Sequence, residues 1–157
     1  MKKQMLPTYK KQECDRINED VGFTGTRDGM TPRQANKFRE IIKEMNIRSF
    51  HHGDCIGSDL EAHKIIRKLK PKAQIYVHPP IKKRYRAFCK GDFTAPEKDY
   101  LARDFNIVNG TETLLATPKQ KSEVLRSGTW TTIRYAKKMM RKITIIYPDG
   151  TSINGKD

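Results

Sequence analysis

The sequence predicts an α/β protein: a Rossmann-like open parallel sheet of about five strands with helices on both faces. Three observations predict it. Short apolar runs alternate with stretches of helical periodicity from residue 20 to residue 150. Strands joined through helices run parallel, with right-handed crossovers, and bury both faces of the sheet. Glycines, hydroxyls and arginines collect after the strands rather than before them. That is the rim where ligands bind in such sheets.

DVGFTGT (20–26) reads as a short buried strand. MTPRQANKFREIIKEMN (30–46) follows as a helix. Thr31 suits its N-cap and Pro32 its first position, and Ala35, Phe38, Ile41, Ile42 and Met45 make one apolar stripe. IRSFHHG (47–53) is the second strand. SDLEAHKIIRKLK (58–70) is the second helix, with Leu60, Ala62, Ile65, Ile66 and Leu69 inward. AQIYVHPP (73–80) is a third strand stopped by two prolines, and a long basic loop covers 79–95. Thr94 and Glu97 have capping-box spacing and are expected to open a helix reaching about Phe105. ETLLATP (112–118) is the fourth strand. SGTWTTIRYAKKMMRK (127–142) is the last helix, with Trp130, Ile133, Ala136 and Met140 on its inner side, and ITIIYPDG (143–150) is the fifth strand. The length fits one domain, 19–150, between a flexible basic arm, 1–18, and a tail, 151–157.

The chain carries 32 Lys and Arg against 18 Asp and Glu, a net charge of +14, of which the first 18 residues supply +3. A field of that sign favours polyanions or phosphorylated small molecules. No run of eighteen apolar residues exists, so no membrane span is expected. The N-terminal lysines precede no apolar stretch, which is unlike a secretory signal and predicts a cytoplasmic protein. Cys14, Cys55 and Cys89 form no CxxC pair and are odd in number, which fits a reducing compartment.

Four segments follow the first four strands: TGTRDG (24–29), HHGDCIGSD (51–59), HPPIKKRYR (78–86) and TPKQKSEVLRSGTW (117–130). Ser127, Gly128 and Thr129 stand at the first turn of a helix. Its free N–H groups, its dipole and two hydroxyls converge there as a phosphate cradle. Gly57 and Ser58 stand at the start of another. Neither is a Walker A motif, because no GK[ST] follows.

The stretch HHGDCIGSD admits three readings. A metal site draws on His51, His52, Cys55, His63, His78 and Cys89, but adjacent strand residues point to opposite faces and no closed four-ligand spacing appears, so no metal is expected. A nucleophile reading activates Cys55 at a helix start with His51 or His52 as base. The third reading fits best: Gly53 and Gly57 let a ligand approach the backbone, while Asp54 and Asp59 bind ribose hydroxyls or act as a base toward a sugar carbon.

GFTGTRDG, HHGDCIGSDLEAH, YVHPP, LARDFNIVNGTETLLATP and RSGTWTTIRYA, in that order across residues 20–148, resemble the SLOG superfamily of Rossmann-like nucleotide-binding proteins. The similarity is greatest to its YspA, cpYpsA-related branch. The superfamily includes DNA-processing protein A and the Lonely-Guy phosphoribohydrolases. The resemblance implies a nucleotide or nucleotide-derived signal across the strand ends, and self-association into a homo-oligomer. Gly25, Thr26 and Arg27 match the first binding loop; Gly53, Asp54, Gly57 and Asp59 match the second; Ser127, Gly128 and Thr129 match the phosphate turn. Arg103 and Asp104 stand where relatives often carry Arg-Asn. Lonely-Guy proteins carry a glutamate three residues after the Gly-Thr pair, where this chain has Thr132, so their catalytic acid is missing.

The leading reading is a nucleotide or nucleotide-derived second messenger bound by a sensor or sequestering protein, without a cofactor. Arg27, Arg84, Arg86 and Arg126 would hold phosphates, Ser58 would help at the second loop, and Tyr85 or Trp130 would stack on a base, Trp130 being better suited to the core because it lies on the inner stripe of its helix. One alternative is a nucleotide N-glycosidase that uses Asp54 or Asp59. Another is single-stranded nucleic-acid binding through KKRYR (82–86) and RYAKKMMRK (134–142).

Overall fold

The computed structural model describes residues 18–155, so the expected N-terminal arm lies almost wholly outside the described residues. Seven strands form one sheet: β1 (Glu19–Gly25), β2 (Ile47–His52), β3 (Gln74–Val77), β4 (Phe93–Thr94), β5 (Thr113–Thr117), β6 (Lys142–Ile146) and β7 (Ser152–Gly155). The connecting helices are α1 (Pro32–Glu44), α2 (Ser58–Leu69), α3 (Tyr100–Asn109) and α4 (Gly128–Lys138). The strand order is β4-β3-β2-β1-β5-β6-β7, and every pairing is parallel except β6 with β7. The chain winds outward from β1 to one edge, returns, and fills the other half from β5. The exits of β1 and β5 therefore diverge, which opens a crevice at their carboxyl ends.

Consecutive residues of the central strands are buried, on alternate faces, so the sheet has two cores. Val21, Phe23, Phe50, Ile75, Val77 and Leu115 pack under α1 and α2 with Phe38, Ile42, Ala62 and Ile66. Leu114, Ala116, Ile143 and Ile145 pack on the other face against Val108, Trp130, Ile133 and Ala136. Phe23 meets Phe38 edge-on at 5.4 Å between ring centres, with Phe50 6.0 Å from Phe23. Truncating Phe38 to alanine removes the middle of this cluster and costs ~3–5 kcal/mol.

The start of α1 is built as expected. Thr31 caps it, and Gln34 completes the reciprocal box. Gln34 is also buried, and its amide donates to the carbonyls of Pro118 (2.8 Å) and Ile146 (2.9 Å), fastening the helix to the ends of β5 and β6.

Three expectations are corrected. The helix does not open at Thr94. Thr94 pairs with Val77, Ala95 N–H continues that ladder to the Val77 carbonyl at 2.9 Å, and α3 begins only at Tyr100. Pro96 is the reason, because it disfavours helical backbone at the residue before it. Asp99 caps the helix instead, accepting from Ala102 N–H at 3.0 Å. The sheet has seven strands rather than about five, because the two-residue β4 and the edge strand β7 add to it. β7 lies in the segment expected as a tail. Among the described residues, no helix is long and apolar enough to cross a membrane.

Candidate functional site

A cleft of about 730 Å³ opens at the carboxyl ends of β1, β2 and β5, at the switch point. The turn after β1 forms one wall through Gly25, Thr26 and Arg27. The Thr26 carbonyl gathers three donors: Gly29 N–H at 3.2 Å, Ser58 N–H at 3.1 Å and the Ser58 hydroxyl at 2.6 Å. A side chain at Gly25 would overlap Thr117 and Ser58, so only glycine lets the turn pass this close to α2.

The opposite wall is the start of α4. Ser127 is its N-cap and accepts from Trp130 N–H at 3.2 Å. Gly128 and Thr129 are the first two helical residues, so their N–H groups have no acceptor within the helix. Ser127, Gly128 and Thr129 all line the cleft, with Arg126 beside them. Arg27 and Lys119 add positive charge, Lys119 being paired at the surface with Asp28 at 2.7 Å. The sequence expectation for the phosphate cradle therefore falls on residues that share one cavity.

The floor holds Gly53, Cys55, Asp59, Arg103 and Asp104. Arg103 is 8% exposed. It donates from Nη1 to the Gly53 carbonyl and to Cys55 Sγ, each at 2.9 Å. Its Nε lies 3.4 Å from an Asp104 oxygen, close enough for charge attraction, yet has no hydrogen-bond acceptor. Asp59 accepts from Cys55 N–H at 3.1 Å. Burial pushes its carboxyl up to about 7 against the opposing pull of Arg103. Burial likewise pushes Asp104 up to about 6, while Arg103 and the Thr132 hydroxyl, donating at 3.0 Å, hold it down. Cys55 is pushed up to about 11 by burial and then by Asp59, so it is a thiol and not an activated nucleophile.

Asp54, Gly57, Ser58 and Arg84, expected as ligand contacts, do not line this cleft. Asp54 is fully buried, and its oxygens accept from Arg86 Nε (2.9 Å) and Cys89 N–H (2.8 Å). Its own backbone is left-handed, with φ 54°. Gly57 has φ 89°, and a side chain there would overlap the Arg27 backbone, so its role is to let two turns cross. Ser58 is consumed by the Thr26 carbonyl. Arg84 lies over the Tyr85 ring at 4.8 Å, and Arg86, also expected on phosphate, is paired with Asp54 and Glu97. Trp130 is 4% exposed and belongs to the core. Tyr85 lines the cleft but carries Arg27 over its ring at 4.0 Å. Sequence reasoning missed Ile81, Tyr100, Lys82, Lys98 and Lys119 on the walls. The basic loop 79–95 contains Ile81 and Lys82, whereas Tyr100 falls inside the helix expected from Thr94.

The histidines did not read as convergent, yet they meet in pairs on opposite faces of the sheet. His51 Nδ1 and His78 Nε2 are 2.9 Å apart, as are His52 Nε2 and His63 Nδ1. Cys89 joins the second pair, with ligand atoms within 4.8 Å of one another. This cluster has the residue types of a zinc or copper site. Its hydrogen bonding does not suit one. Asp54 N–H donates to His52 Nδ1 at 3.0 Å, so neutral His52 carries its proton on Nε2 and donates it to His63. Burial also pushes the Cys89 thiol up to about 12. A cation would have to displace both protons, so the hydrogen-bonded His52–His63 pair beside the Cys89 thiol is not an open ligand set.

No family model and no curated protein matches the sequence. Solved structures do match. A molybdenum cofactor binding protein from the phototrophic bacterium Rippkaea orientalis aligns with TM-score 0.62 and 15% identity over 83% of this chain and 77% of that one. DNA processing protein A from Streptococcus pneumoniae aligns with TM-score 0.59 and 16% identity over 82% of this chain and 50% of that one. The structural-genomics target TM1055 aligns with TM-score 0.55 and 12% identity over 81% and 72%. The chain shares the open, mostly parallel α/β fold of these structures.

Proposed function

We propose that the cleft binds a nucleotide or nucleotide-derived phosphorylated ligand, as a sensor or a sequestering protein. One observation carries this reading. The unpaired N–H groups of Gly128 and Thr129, the guanidinium groups of Arg27 and Arg126, and the buried Arg103 with its unused Nε all border one cavity. Helix start and guanidinium groups favour an anion together, and the burial of the floor, which keeps water from screening them, strengthens both. Asp59 offers an oxygen to a sugar hydroxyl. The likeness to a cofactor-binding protein and to a DNA-processing protein supports small-molecule or nucleic-acid ligands in general. Calorimetric titration with nucleoside 5′-monophosphates and with a single-stranded oligonucleotide tests the reading. The expected result is saturable mononucleotide binding that Arg126→Ala weakens roughly tenfold, in line with the loss of one charge-assisted contact. Oligonucleotide binding alone, collapsing with salt, would instead favour the polyanion reading.

A second reading, hydrolysis of the ligand's N-glycosidic bond, is favoured by Asp59. Its carboxyl, titrating at about 7 in the cleft floor, suits taking a proton from the water that adds at the sugar carbon and passing it to the nitrogen of the departing base as the C–N bond breaks. Asp54, outside the cleft, has no part in it. Release of free base from monophosphates, lost in Asp59→Asn, would support this reading, and intact nucleotide after long incubation would remove it.

A further inference from the structure

We propose that Ile81 and Tyr100 form a slot for the planar ring of a heteroaromatic ligand whose phosphate lies at the start of α4. This rests on the binding reading above and specifies its ligand class.

The cleft is polar and cationic on most sides, yet Ile81 is 56% exposed and Tyr100 55% exposed, and both line it. Their backbones are fixed. Ile81 N–H donates to the Lys98 carbonyl at 3.2 Å, and Lys98 N–H donates back to the Pro79 carbonyl at 3.3 Å. This clasp holds Ile81 beside the segment that leads into Tyr100. Tyr100 itself is the first residue of α3, directly after the Asp99 cap. Its ring also borders the anion position, because a side chain built on Gly128 would stand 3.9 Å from Tyr100 Cδ2. Ring and free N–H groups thus lie within the span of one small ligand.

The other cleft aromatics are committed. Phe23 is in the core, and Tyr85 holds Arg27 and Arg84 over its ring. An inorganic anion or a bare sugar phosphate would leave the exposed pair in water. A purine or pyrimidine covers it, and aromatic stacking tolerates any base.

Calorimetric titration with adenosine 5′-monophosphate, cytidine 5′-monophosphate and ribose 5-phosphate tests this. Wild-type protein should bind both nucleotides ~10-fold or more tightly than ribose 5-phosphate, the stacking contribution of one base. Tyr100→Ala should bring the nucleotides down to the ribose 5-phosphate affinity and leave the latter unchanged, which also shows that the variant is folded. Tyr100→Phe should keep the preference. Equal losses for nucleotide and sugar phosphate in Tyr100→Ala, or no ring preference in the wild type, would overturn the slot while leaving the anion site standing. Absence of binding by all three probes would overturn the cleft reading and the slot with it.

Discussion

Arg86 Nε donates to the buried Asp54 carboxylate at 2.9 Å, and Cys89 N–H donates to its other oxygen at 2.8 Å. One side chain of the β2–α2 turn therefore straps down the loop that follows β3. Ala87 N–H adds a bond to the Asp54 carbonyl at 2.7 Å. Asp54→Ala leaves Arg86 Nε and the Cys89 N–H without their acceptor, and only Glu97, at 3.1 Å, still pairs with Arg86. The expected loss in urea unfolding is ~3–5 kcal/mol, the cost of breaking a buried pair from one side. An unchanged unfolding midpoint would show that the strap contributes nothing.

Asp59 predicts a pH dependence of defined sign. Its carboxyl titrates at about 7 in the fold against an ordinary 3.8, so between those values the folded chain holds a proton that the unfolded chain has released. Stability from this group is full below 3.8 and lost as pH rises through about 7. Asn mimics the protonated form. Asp59→Asn should therefore gain on wild type as pH rises toward 7, by at most about 1.4 kcal/mol per pH unit. A gap that is flat from pH 4 to pH 8 would contradict this.

The histidines act in the opposite direction. Burial holds His51 and His78 down at about 4. Unfolded histidine binds its proton from an ordinary 6.5 downward, so each costs stability as pH falls from 6.5 to about 4. In Asp59→Asn, where the raised carboxyl of Asp104 alone still opposes the two histidines, the thermal midpoint should fall over that window. His51→Gln should flatten the slope.

Gly57 separates backbone strain from ligand binding. At φ 89° and against the Arg27 backbone, any side chain must move one turn. Gly57→Ala should lower stability by several times the ~1 kcal/mol typical of an unfavourable left-handed residue. A midpoint within a degree of wild type would show that the crossing is looser than drawn.

The hydrogen-bonded His52–His63 pair beside the half-buried Cys89 thiol predicts that purified protein retains no stoichiometric zinc or copper after dialysis, read by elemental analysis. An equimolar metal content lost in His63→Ala would show that the His52 and Cys89 protons are displaced after all.

Much of the fold was legible because periodicity survives in single segments. Thr31 with Pro32, and the stripe through Phe38 and Ile42, identify α1 without any tertiary information. The capped start of α4 at Ser127–Thr129 was legible for the same reason: it is local, a cap followed by a helix. What failed was decided at a distance. Thr94 looks like a cap until Val77 offers it a strand partner, and residues 152–155 look like a tail until β6 pairs with them. Asp54 and Asp59 are equivalent in the sequence. Only the position of the 83–89 loop turns Asp54 away from the cleft to Arg86 and leaves Asp59 in the floor. Tyr100 became a wall residue only because Pro96 delays α3.

The most direct measurement is a nuclear magnetic resonance titration of the amide groups with a nucleoside 5′-monophosphate. The account predicts that the Gly128 and Thr129 amides shift first and furthest, together with Thr26 and Arg27 across the cleft. Shifts confined to the β6–β7 edge or to the exposed lysines of α4, with Gly128 and Thr129 unmoved at saturation, would contradict it.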